Sequence, residues 1–428
     1  MKYDDLAEVI DLAAARAEAE AANKLAASLM RSGEGAVYPT ITNALVIMAH
    51  DPALAGLVAY NSFTHKSLIM RAAPVAVEGG RPFPGPYPRP WDDADVVLVT
   101  SYIQRVYCPR MSPDVVHSAM TAEAKLHEFH PVREYFAGLQ WDGIVRLDTW
   151  LHVAGGCPDD EYHAAVGAKM LIAAVRRILH PGTKFDTMPV FEGLQGLGKS
   201  TLLRRMMADE DWFSDSMPAN LEGKDAAMAL AGRLIIEFAE LQHVVRSEVE
   251  TIKAFLSRAV DRYRPPYGRN VIDIPRQCIV IGTTNETDYL RDTTGNRRFW
   301  PVRFVKVDMA WIDANRDQLW AEAVSREREG EPIYLEGEIL DAATSNQRER
   351  LEEDVWAAEI GRYVVSQMRV TVAEVLTECL NVPRERQTRR EQMRVANVLR
   401  ALGWVVKVER GYMGVQQPLR VYYPPEWS

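Results

Sequence analysis

Gly193, Gly198, Lys199 and Ser200 have the spacing Gly-x4-Gly-Lys-Ser, which is the pattern of a phosphate-binding loop. Glycines at these positions let the backbone turn so that several N–H groups face one anion. The lysine then reaches the β- and γ-phosphates of a nucleotide, and the serine hydroxyl can hold Mg²⁺. An apolar run, "MPVFE", precedes the motif and a helical pattern, "STLLRRMM", opens at it, as the mechanism requires. We therefore expect ATP and Mg²⁺ as cofactors, with the nucleotide held by Gly193, Gln195, Gly196, Gly198, Lys199, Ser200 and Thr201.

Two glutamates follow the apolar residues of "GRLIIEFAEL". A phosphate-loop enzyme needs a carboxylate at a neighbouring strand end to hold Mg²⁺ or to activate water. If the strand stops near Ile236, Glu237 points at the phosphates and Glu240 lies just beyond. The pattern predicts that the pair shares metal and water duties, with Ser200 and Glu237 as metal ligands. Which glutamate is the base stays open, and the alternative is a helix with acids in its first turn.

A third apolar run, "CIVIGTTN", ends in polar residues. A short amide at a strand tip beside the phosphate loop can orient the attacking water and sense the γ-phosphate. We therefore expect Asn285 to belong to the catalytic set, although many strands end in asparagine.

Two adjacent arginines stand before an apolar tail in "GNRRFWPV". The tail predicts the start of a core strand, which would hold Arg297 and Arg298 outward at a subunit edge. The planar guanidinium fork suits phosphate oxygens, here those of a neighbouring subunit's ATP. Which arginine has this role stays open, and the simpler interpretation is an exposed turn leading into a strand.

A basic segment lies between the second and third apolar runs. From Lys253 to Arg276 six basic residues stand against two acidic ones, a local charge of +4 in a chain of net charge −9. "YGRN" is a turn signal, so the flanks can pair as a hairpin. Basic and aromatic residues together suit a nucleic-acid strand, and we expect Arg264, Tyr267 and Arg269 to contact DNA. The alternatives are a solvated face, or arginines that serve the nucleotide of a neighbouring subunit.

The composition is that of an ordinary soluble globular protein of 428 residues, enough for several domains. No apolar run is long enough to span a bilayer, and the N-terminal segment is charged and Ala-rich, so we expect a cytoplasmic protein without a membrane partner. The four cysteines show no C-x-x-C spacing, which favours reduced, buried thiols over a zinc site or disulfides.

The pattern of apolar residues predicts an α/β protein in three parts. Residues 1–182 read as a mostly helical N-terminal region. Residues 183–306 alternate strand and helix signals, which predicts a P-loop core with a parallel sheet. Residues 307–428 are helical again and end in three helices followed by a β-hairpin, which suggests a winged helix. The basic stretch "RERQTRREQMR" in this last part suits a recognition helix on DNA, or a plainly solvated helix face.

Several long motifs occur in the order found in the virulence-associated protein E family of phages and mobile elements. They are "FHPVREYFAGLQWDGIVRLDTWL", "VFEGLQGLGKSTLLRRM", "IIEFAELQHVVRSEVETIKAFLSRAVDRYRPPYGR" and "IGTTNETDYLRDTTGNRRFWPV". The sequence resembles that family over roughly residues 40 to 305. The resemblance implies a helicase-like ATPase with an AAA+-type core, related to the superfamily 3 replicative helicases.

The resemblance also implies roles for the residues above. Gly193, Gly198, Lys199 and Ser200 match Walker A, Glu237 and Glu240 fill the Walker B region, and Asn285 matches sensor 1. Arg297 and Arg298 match the place of a trans-acting finger, and Arg269 falls where such helicases grip DNA. The spaced acids "EFAE" depart from the adjacent acid pair common in AAA+ proteins. Relatives often carry an upstream primase-polymerase domain, which this sequence does not show, so a phage or host protein would supply priming.

Two functions are consistent with these features. The first is an ATP-hydrolysing DNA motor, a ring-shaped and hexameric helicase that acts on single-stranded or forked DNA in the bacterial host. The second is a nucleotide-switched initiator or loader that binds DNA without unwinding it. A P-loop kinase is a weaker third, because lid and acceptor-site signals are missing.

Overall fold

The computed structural model describes residues 22–75, 83, 85–217, 220–221, 223–241, 246–264, 271–286, 289, 296–350, 356–410 and 417–424. Contacts divide the chain into two compact units. The smaller unit extends to Gln140 and also takes in Leu230–Leu234, and the larger one comprises Trp141–Ala229 and Ile235–Ser428.

The smaller unit combines helices with a small sheet. After a helical segment over residues 22–28, the helices are α1 (Ile41–His50), α2 (Asp93–Val106), α3 (Pro113–Leu126) and α4 (Pro131–Gly138). Side-chain caps start them: the Thr40 hydroxyl accepts from the N–H of Asn43 ahead of α1, and a capping box at Asp92 starts α2. The described part of this unit thus contains helices, as the apolar spacing of the N-terminal region predicts, together with strands.

The described part of the smaller unit contains four short strands that were not predicted. They are β1 (Val58–Asn61), β2 (Lys66–Ile69), β3 (Arg89–Pro90) and β4 (Glu128–Phe129), in the order β3-β2-β1-β4. None exceeds four residues, which is too short for an alternating pattern to be distinguished from a helix turn.

The larger unit begins with helices α5 (Trp150–Gly155) and α6 (Glu161–Leu179) and then forms a five-stranded sheet. Its strands are β5 (Met188–Glu192), β6 (Phe213–Ser214), β7 (Ile235–Phe238), β10 (Ile279–Thr284) and β11 (Phe299–Arg303). Every residue of β5 and β10 is buried, as expected for strands of a parallel sheet covered on both faces.

The strand order of this sheet is β11-β5-β10-β7-β6, and all its neighbouring strands pair in parallel. The register sets Thr284 of β10 beside Glu192, the last residue of β5. The segments that leave β5, β7 and β10 therefore emerge at one edge of the sheet. In open parallel sheets, ligands bind in the crevice outside this carboxyl edge.

Helices and a hairpin complete the region around the sheet. The helices are α7 (Lys199–Arg205), α8 (Lys224–Leu230), α9 (Arg246–Leu256), α10 (Met309–Arg328) and α11 (Gly337–Glu349). The strands β8 (Val260–Tyr263) and β9 (Ile272–Pro275) pair antiparallel, as predicted for the basic segment. The α/β class with a parallel sheet is thus confirmed.

The chain ends in a small cluster of helices and strands with its own apolar core. In chain order it comprises α12 (Ala357–Val364), β12 (Val370–Thr371), α13 (Val372–Glu374) continued by a π-helix (Val375–Cys379), α14 (Arg389–Ala401), β13 (Val405–Glu409) and β14 (Leu419–Tyr423). The three strands form an antiparallel sheet of order β12-β14-β13.

The cysteines have the buried surroundings that the sequence predicts. All four cysteines are buried free thiols, and burial raises the pKa of Cys157 to about 12. Among the described helices, none is both long and apolar enough to cross a membrane.

Candidate nucleotide site

The loop that follows β5 has a backbone that requires glycine. Gly193, Gly196 and Gly198 have φ angles of 151°, 79° and 95°. A Cβ on Gly193 would lie 2.9 Å from the Phe304 carbonyl oxygen. These positive φ values turn the loop back over the strand end, and α7 begins directly after it at Lys199.

The Lys199 ammonium lies at the centre of the loop. Its Nζ donates to the carbonyl oxygens of Gly193 and Leu194 at 2.6 and 3.1 Å and to Asn285 Oδ1 at 3.1 Å. Burial lowers the pKa of Lys199 below its ordinary value, and the charge of Glu237 partly opposes that effect. Lys199 and Asn285, which are 86 positions apart, thus lie together as the sequence suggested.

The Glu237 carboxylate faces the start of α7. Its Oε1 accepts hydrogen bonds from Ser200 Oγ at 2.7 Å and from Thr283 Oγ1 at 2.6 Å. Its Oε2 is buried and has no hydrogen-bond partner among the described residues. A carboxylate oxygen buried without a donor is costly, so this atom marks a position where a cation or a water would be stabilised.

Ser200 and Glu237 fit a magnesium ion. Mg²⁺ prefers hard oxygen ligands and is usually held by one or two carboxylates together with substrate phosphates and waters. A hydroxyl 2.7 Å from a carboxylate with one unpartnered oxygen supplies such a donor set. Elsewhere in the described part of the chain, no three His, Cys, Asp or Glu side chains converge as a metal cluster.

The strand that carries Glu237 is longer than expected. The sequence placed its end near Ile236, but β7 continues to Phe238, so Glu237 lies within the strand. For Glu237 the alternative of an acidic helix start is therefore wrong. Glu240 lies two residues past the strand, is exposed, and has a positive φ of 57°.

Arg297 and Arg298 lie at the opposite edge of the sheet from the loop. They immediately precede β11, whose first residue, Phe299, pairs with Met188, the first residue of β5. The loop leaves β5 at its other end, roughly 13 Å away at about 3.3 Å per residue. Arg298 Nε lies 3.5 Å from Asp186 Oδ2, an ion pair without an aligned hydrogen bond, whereas Arg297 is exposed.

The predicted DNA hairpin is less basic at its surface than its sequence suggested. Arg276 is 3% exposed and forms a bidentate pair with Asp261 at 2.6 and 2.8 Å. Lys253 is also buried and lies 3.0 Å from Glu250. Both positive charges are therefore paired with neighbouring carboxylates and do not add to the basic surface of the hairpin. Of the three residues expected to contact DNA, Arg264 is exposed, and Tyr267 and Arg269 lie outside the described residues.

A buried ion pair beside the loop was missed from the sequence. Glu192, the residue before Gly193, is 1% exposed, and its two oxygens accept from Arg350 Nε at 2.8 Å and Nη2 at 3.1 Å. The Tyr289 hydroxyl donates to the same carboxylate at 3.0 Å. Burial would lower the pKa of Arg350, but the hydrogen bonds and charge of Glu192 raise it overall. The only signal was a charge at the end of the apolar run "MPVFE"; nothing local pointed to a partner 158 positions away.

The model of the virulence-associated protein E-like domain matches residues 136–352, about half of the chain. The chain therefore belongs to the virulence-associated protein E-like domain family, which confirms the resemblance noted in its motifs. No curated protein matches it.

Solved structures that resemble the chain share little sequence with it. The A form apo structure of the NrS-1 C-terminal region is 12% identical and has a TM-score of 0.45, over 86% of this chain and 96% of that one. The X-ray structure of JCV helicase is 13% identical and has a TM-score of 0.25, over 59% of this chain and 79% of that one.

Proposed function

We propose that this protein is an ATP-hydrolysing DNA motor of the superfamily 3 helicase type, with an AAA+-like P-loop core. The observation that carries the proposal is the meeting of four groups at the carboxyl edge of the sheet. Lys199 lies against Asn285 at 3.1 Å, and Ser200 lies against Glu237 at 2.7 Å. Lys199 and Ser200 follow β5, Asn285 follows β10, and Glu237 lies near the end of β7. Together they combine a cation, a hydroxyl–carboxylate pair suited to a metal ion, and a polar amide.

In this proposal the loop residues bind the triphosphate. The backbone N–H groups of Gly193, Gln195, Gly196, Gly198 and Thr201 surround the phosphate oxygens. Lys199 leaves its carbonyl partners and neutralises the β- and γ-phosphates. Because Lys199 is largely buried, its charge acts in surroundings of reduced dielectric, where it stabilises a phosphate more than it would in water.

Ser200 and Glu237 would hold Mg²⁺, which when bound neutralises charge that develops on the transferred phosphoryl group. Thr283 keeps the Glu237 carboxylate turned toward Ser200. Asn285 orients the attacking water, and Glu240 or Glu237 accepts its proton. The exposed position of Glu240 beyond the strand favours it as the base, since Glu237 is already engaged by two hydroxyl donors.

The arginines complete a neighbouring subunit's site. Because they lie at the far end of β5, neither belongs beside the ATP bound by its own chain. Arg297 is the better finger: it is exposed, whereas Arg298 pairs with Asp186 and braces the turn. A finger that works in trans requires an oligomer, and we propose a hexameric ring.

We further propose three functional parts: a helical region over residues 1–182, the ATPase core over 183–306, and a C-terminal region over 307–428. The order helix, strand, two helices and hairpin, with sheet order β12-β14-β13, supports a winged helix at the end of the last part. The β8–β9 hairpin would contact single-stranded or forked DNA through Arg264, Tyr267 and Arg269. Phage or host replication proteins would supply priming.

ATP hydrolysis by the full chain, with and without single-stranded DNA, tests the motor. We expect Lys199→Ala to abolish turnover, and Lys66→Ala, an exposed lysine on β2, to leave it unchanged. Single-stranded DNA should stimulate the unaltered protein. A rate that is indifferent to DNA, or one retained by Lys199→Ala, would contradict the proposal.

The second candidate is a nucleotide-switched initiator or loader. A groove near the C-terminal end of the chain favours it, because the groove is lined by Arg384, Arg389, Arg400 and Arg420 and DNA binding there needs no translocation. Tight ATP binding without turnover, together with duplex binding that depends on nucleotide, would support this alternative over the motor.

A further inference from the structure

A groove of about 1050 Å³ lies in the C-terminal domain, away from the loop that follows β5. Its walls come from α13 with its π-helical continuation, from the turn at Arg384–Arg386, from α14 and from β14. Ala396 and Tyr422 at its base are 8% and 1% exposed and belong to the apolar core beneath. The floor is thus fixed by packing, and the walls present polar side chains.

The charge of this groove is positive, although the chain as a whole is negative. Arg384, Arg389, Arg400 and Arg420 line it and are all exposed. Among the described contacts none of the four pairs with a carboxylate, and Arg400 donates only to Asn397 Oδ1, at 3.0 Å.

The two glutamates that line the groove are occupied within the domain. Glu374 caps its own helix by accepting from the Thr371 N–H at 2.6 Å and from the Thr371 hydroxyl at 2.8 Å. Glu378 accepts from the Tyr363 hydroxyl at 2.8 Å. Both carboxylates keep their charge, so the lining residues carry four positive and two negative charges, a net charge of +2.

The polar residues of α14 share one face of the helix. Arg389, Gln392, Asn397 and Arg400 are spaced at intervals of three to five residues, with Met393, 55% exposed, among them. The face extends about 16 Å from Arg389 to Arg400 at about 1.5 Å per residue. Val395 and Leu399, on the other side, are fully buried, and a capping box at Thr388 fixes the start of the helix. The face is thus held rigidly.

We infer that this groove and the polar face of α14 form a binding site for duplex DNA. The arginines on the walls suit the phosphates of one backbone strand. The major groove is about 12 Å wide and admits an α-helix, where Arg, Gln and Asn can bond to base edges and a methionine can meet a thymine methyl. A single strand suits the groove less, because such binding relies on exposed aromatic rings, and Tyr422, the aromatic residue that lines it, is buried.

This site stands independently of the proposed ATPase. Duplex binding is therefore measured without nucleotide, on the full chain and on Lys199→Ala, by fluorescence anisotropy with a labelled duplex of about 20 base pairs, roughly two helical turns. Arg389→Gln and Arg420→Gln are the test variants. Arg362→Gln, an exposed arginine on α12 that does not line the groove, is the matched control.

Each test variant should weaken duplex binding about 5- to 10-fold and reduce the dependence of log K on log salt by about one. The control and Lys199→Ala should bind like the unaltered protein, and equal thermal unfolding of all variants would show that the fold is kept. Equal losses in the Arg362→Gln control would overturn the inference. So would binding of the single strand as tight as that of the duplex, or capture of an acidic peptide in place of DNA.

Discussion

Arg298 lies 3.5 Å from Asp186, two residues before the start of β5, and this ion pair distinguishes it from the adjacent Arg297. Arg298 is held against its own chain at the amino edge of the sheet. Arg297, next to it, is exposed. The loop that follows Glu192 lies at the other end of the same strand. In the proposed ring, the arginines and the loop of one chain would therefore serve two different nucleotides.

The first prediction concerns the different roles proposed for Arg297 and Arg298. Arg297→Ala should lower ATP turnover by about 10³-fold or more, because a finger arginine stabilises charge in the transition state, while ATP binding is kept. Arg298→Ala should instead lower the free energy of unfolding by about 1 kcal/mol, as expected for a partly exposed ion pair. Steady-state hydrolysis and urea unfolding of both variants measure the two effects.

Mixing the variants tests the trans arrangement. An Arg297→Ala chain keeps an intact loop, and a Lys199→Ala chain keeps an intact arginine. A mixture should therefore hydrolyse ATP faster than either variant alone. An inactive mixture, or an Arg297→Ala protein with full activity, would exclude this arginine as the finger.

The second prediction concerns Glu237. Replacement by glutamine removes the charge that would hold Mg²⁺ but retains a carbonyl oxygen for the Ser200 and Thr283 hydroxyls. Hydrolysis should fall by at least about 100-fold. Thermal stability should not fall, because an uncharged amide nitrogen replaces the buried carboxylate oxygen that has no donor. Glu240→Gln is the matched comparison: a large loss of turnover with unchanged Mg²⁺ dependence would make Glu240 the base. Reduced stability of Glu237→Gln would contradict the prediction.

The third prediction concerns the buried pair of Glu192 and Arg350. Arg350→Met leaves the Glu192 carboxylate with the Tyr289 hydroxyl as its remaining donor, and loss of one partner of a buried ion pair costs about 3–5 kcal/mol. Arg348→Met, at an exposed position on α11, should change unfolding little. The double variant Glu192→Gln with Arg350→Met should recover part of the loss. Equal stability of the Arg348 and Arg350 variants would refute the assignment.

The fourth prediction concerns pH and Lys199. Burial lowers the pKa of Lys199, so between that lowered pKa and the ordinary lysine value the unfolded chain holds a proton that the folded chain has released. The cost of burying the charged ammonium is fully present below the lowered pKa and disappears as pH rises through this window. The contribution of Lys199 to the free energy of unfolding therefore rises with pH in this window. The affinity for ATP falls in the same window, because only the charged ammonium neutralises phosphate. Affinity for an ATP analogue should decline at lower pH than it does for Lys199→Arg, and superimposable pH profiles would contradict this.

The sequence predicted the parts of the fold that depend on local patterns. The apolar runs around Val190, Ile236 and Ile281 are strands of one parallel sheet, since continuous burial and flanking helix signals are local properties. The adjacency of Lys199 and Asn285 followed from strand ends that share one edge of a sheet.

Other features depend on contacts that no local pattern encodes. The basic segment is predicted as a cationic hairpin, yet the guanidinium of Arg276 is buried against Asp261, so its charge does not reach the surface. Trp141 is half-buried, with its ring N–H bonded to the Ile144 carbonyl, whereas Trp150 is fully buried. Packing against elements that are distant in sequence decides which of these two tryptophans is buried.

Arg350 completes the ion pair of Glu192 beside the loop, so it must be present in any fragment that keeps this pair. It lies just inside the end of the family model at residue 352, although the last strand of the parallel sheet ends at Arg303. A fragment cut directly after the sheet would retain every residue of the candidate nucleotide site and lose the counter-ion of Glu192, the residue on which the phosphate loop is anchored. A fragment that is to keep this ion pair must therefore extend beyond the sheet to Arg350.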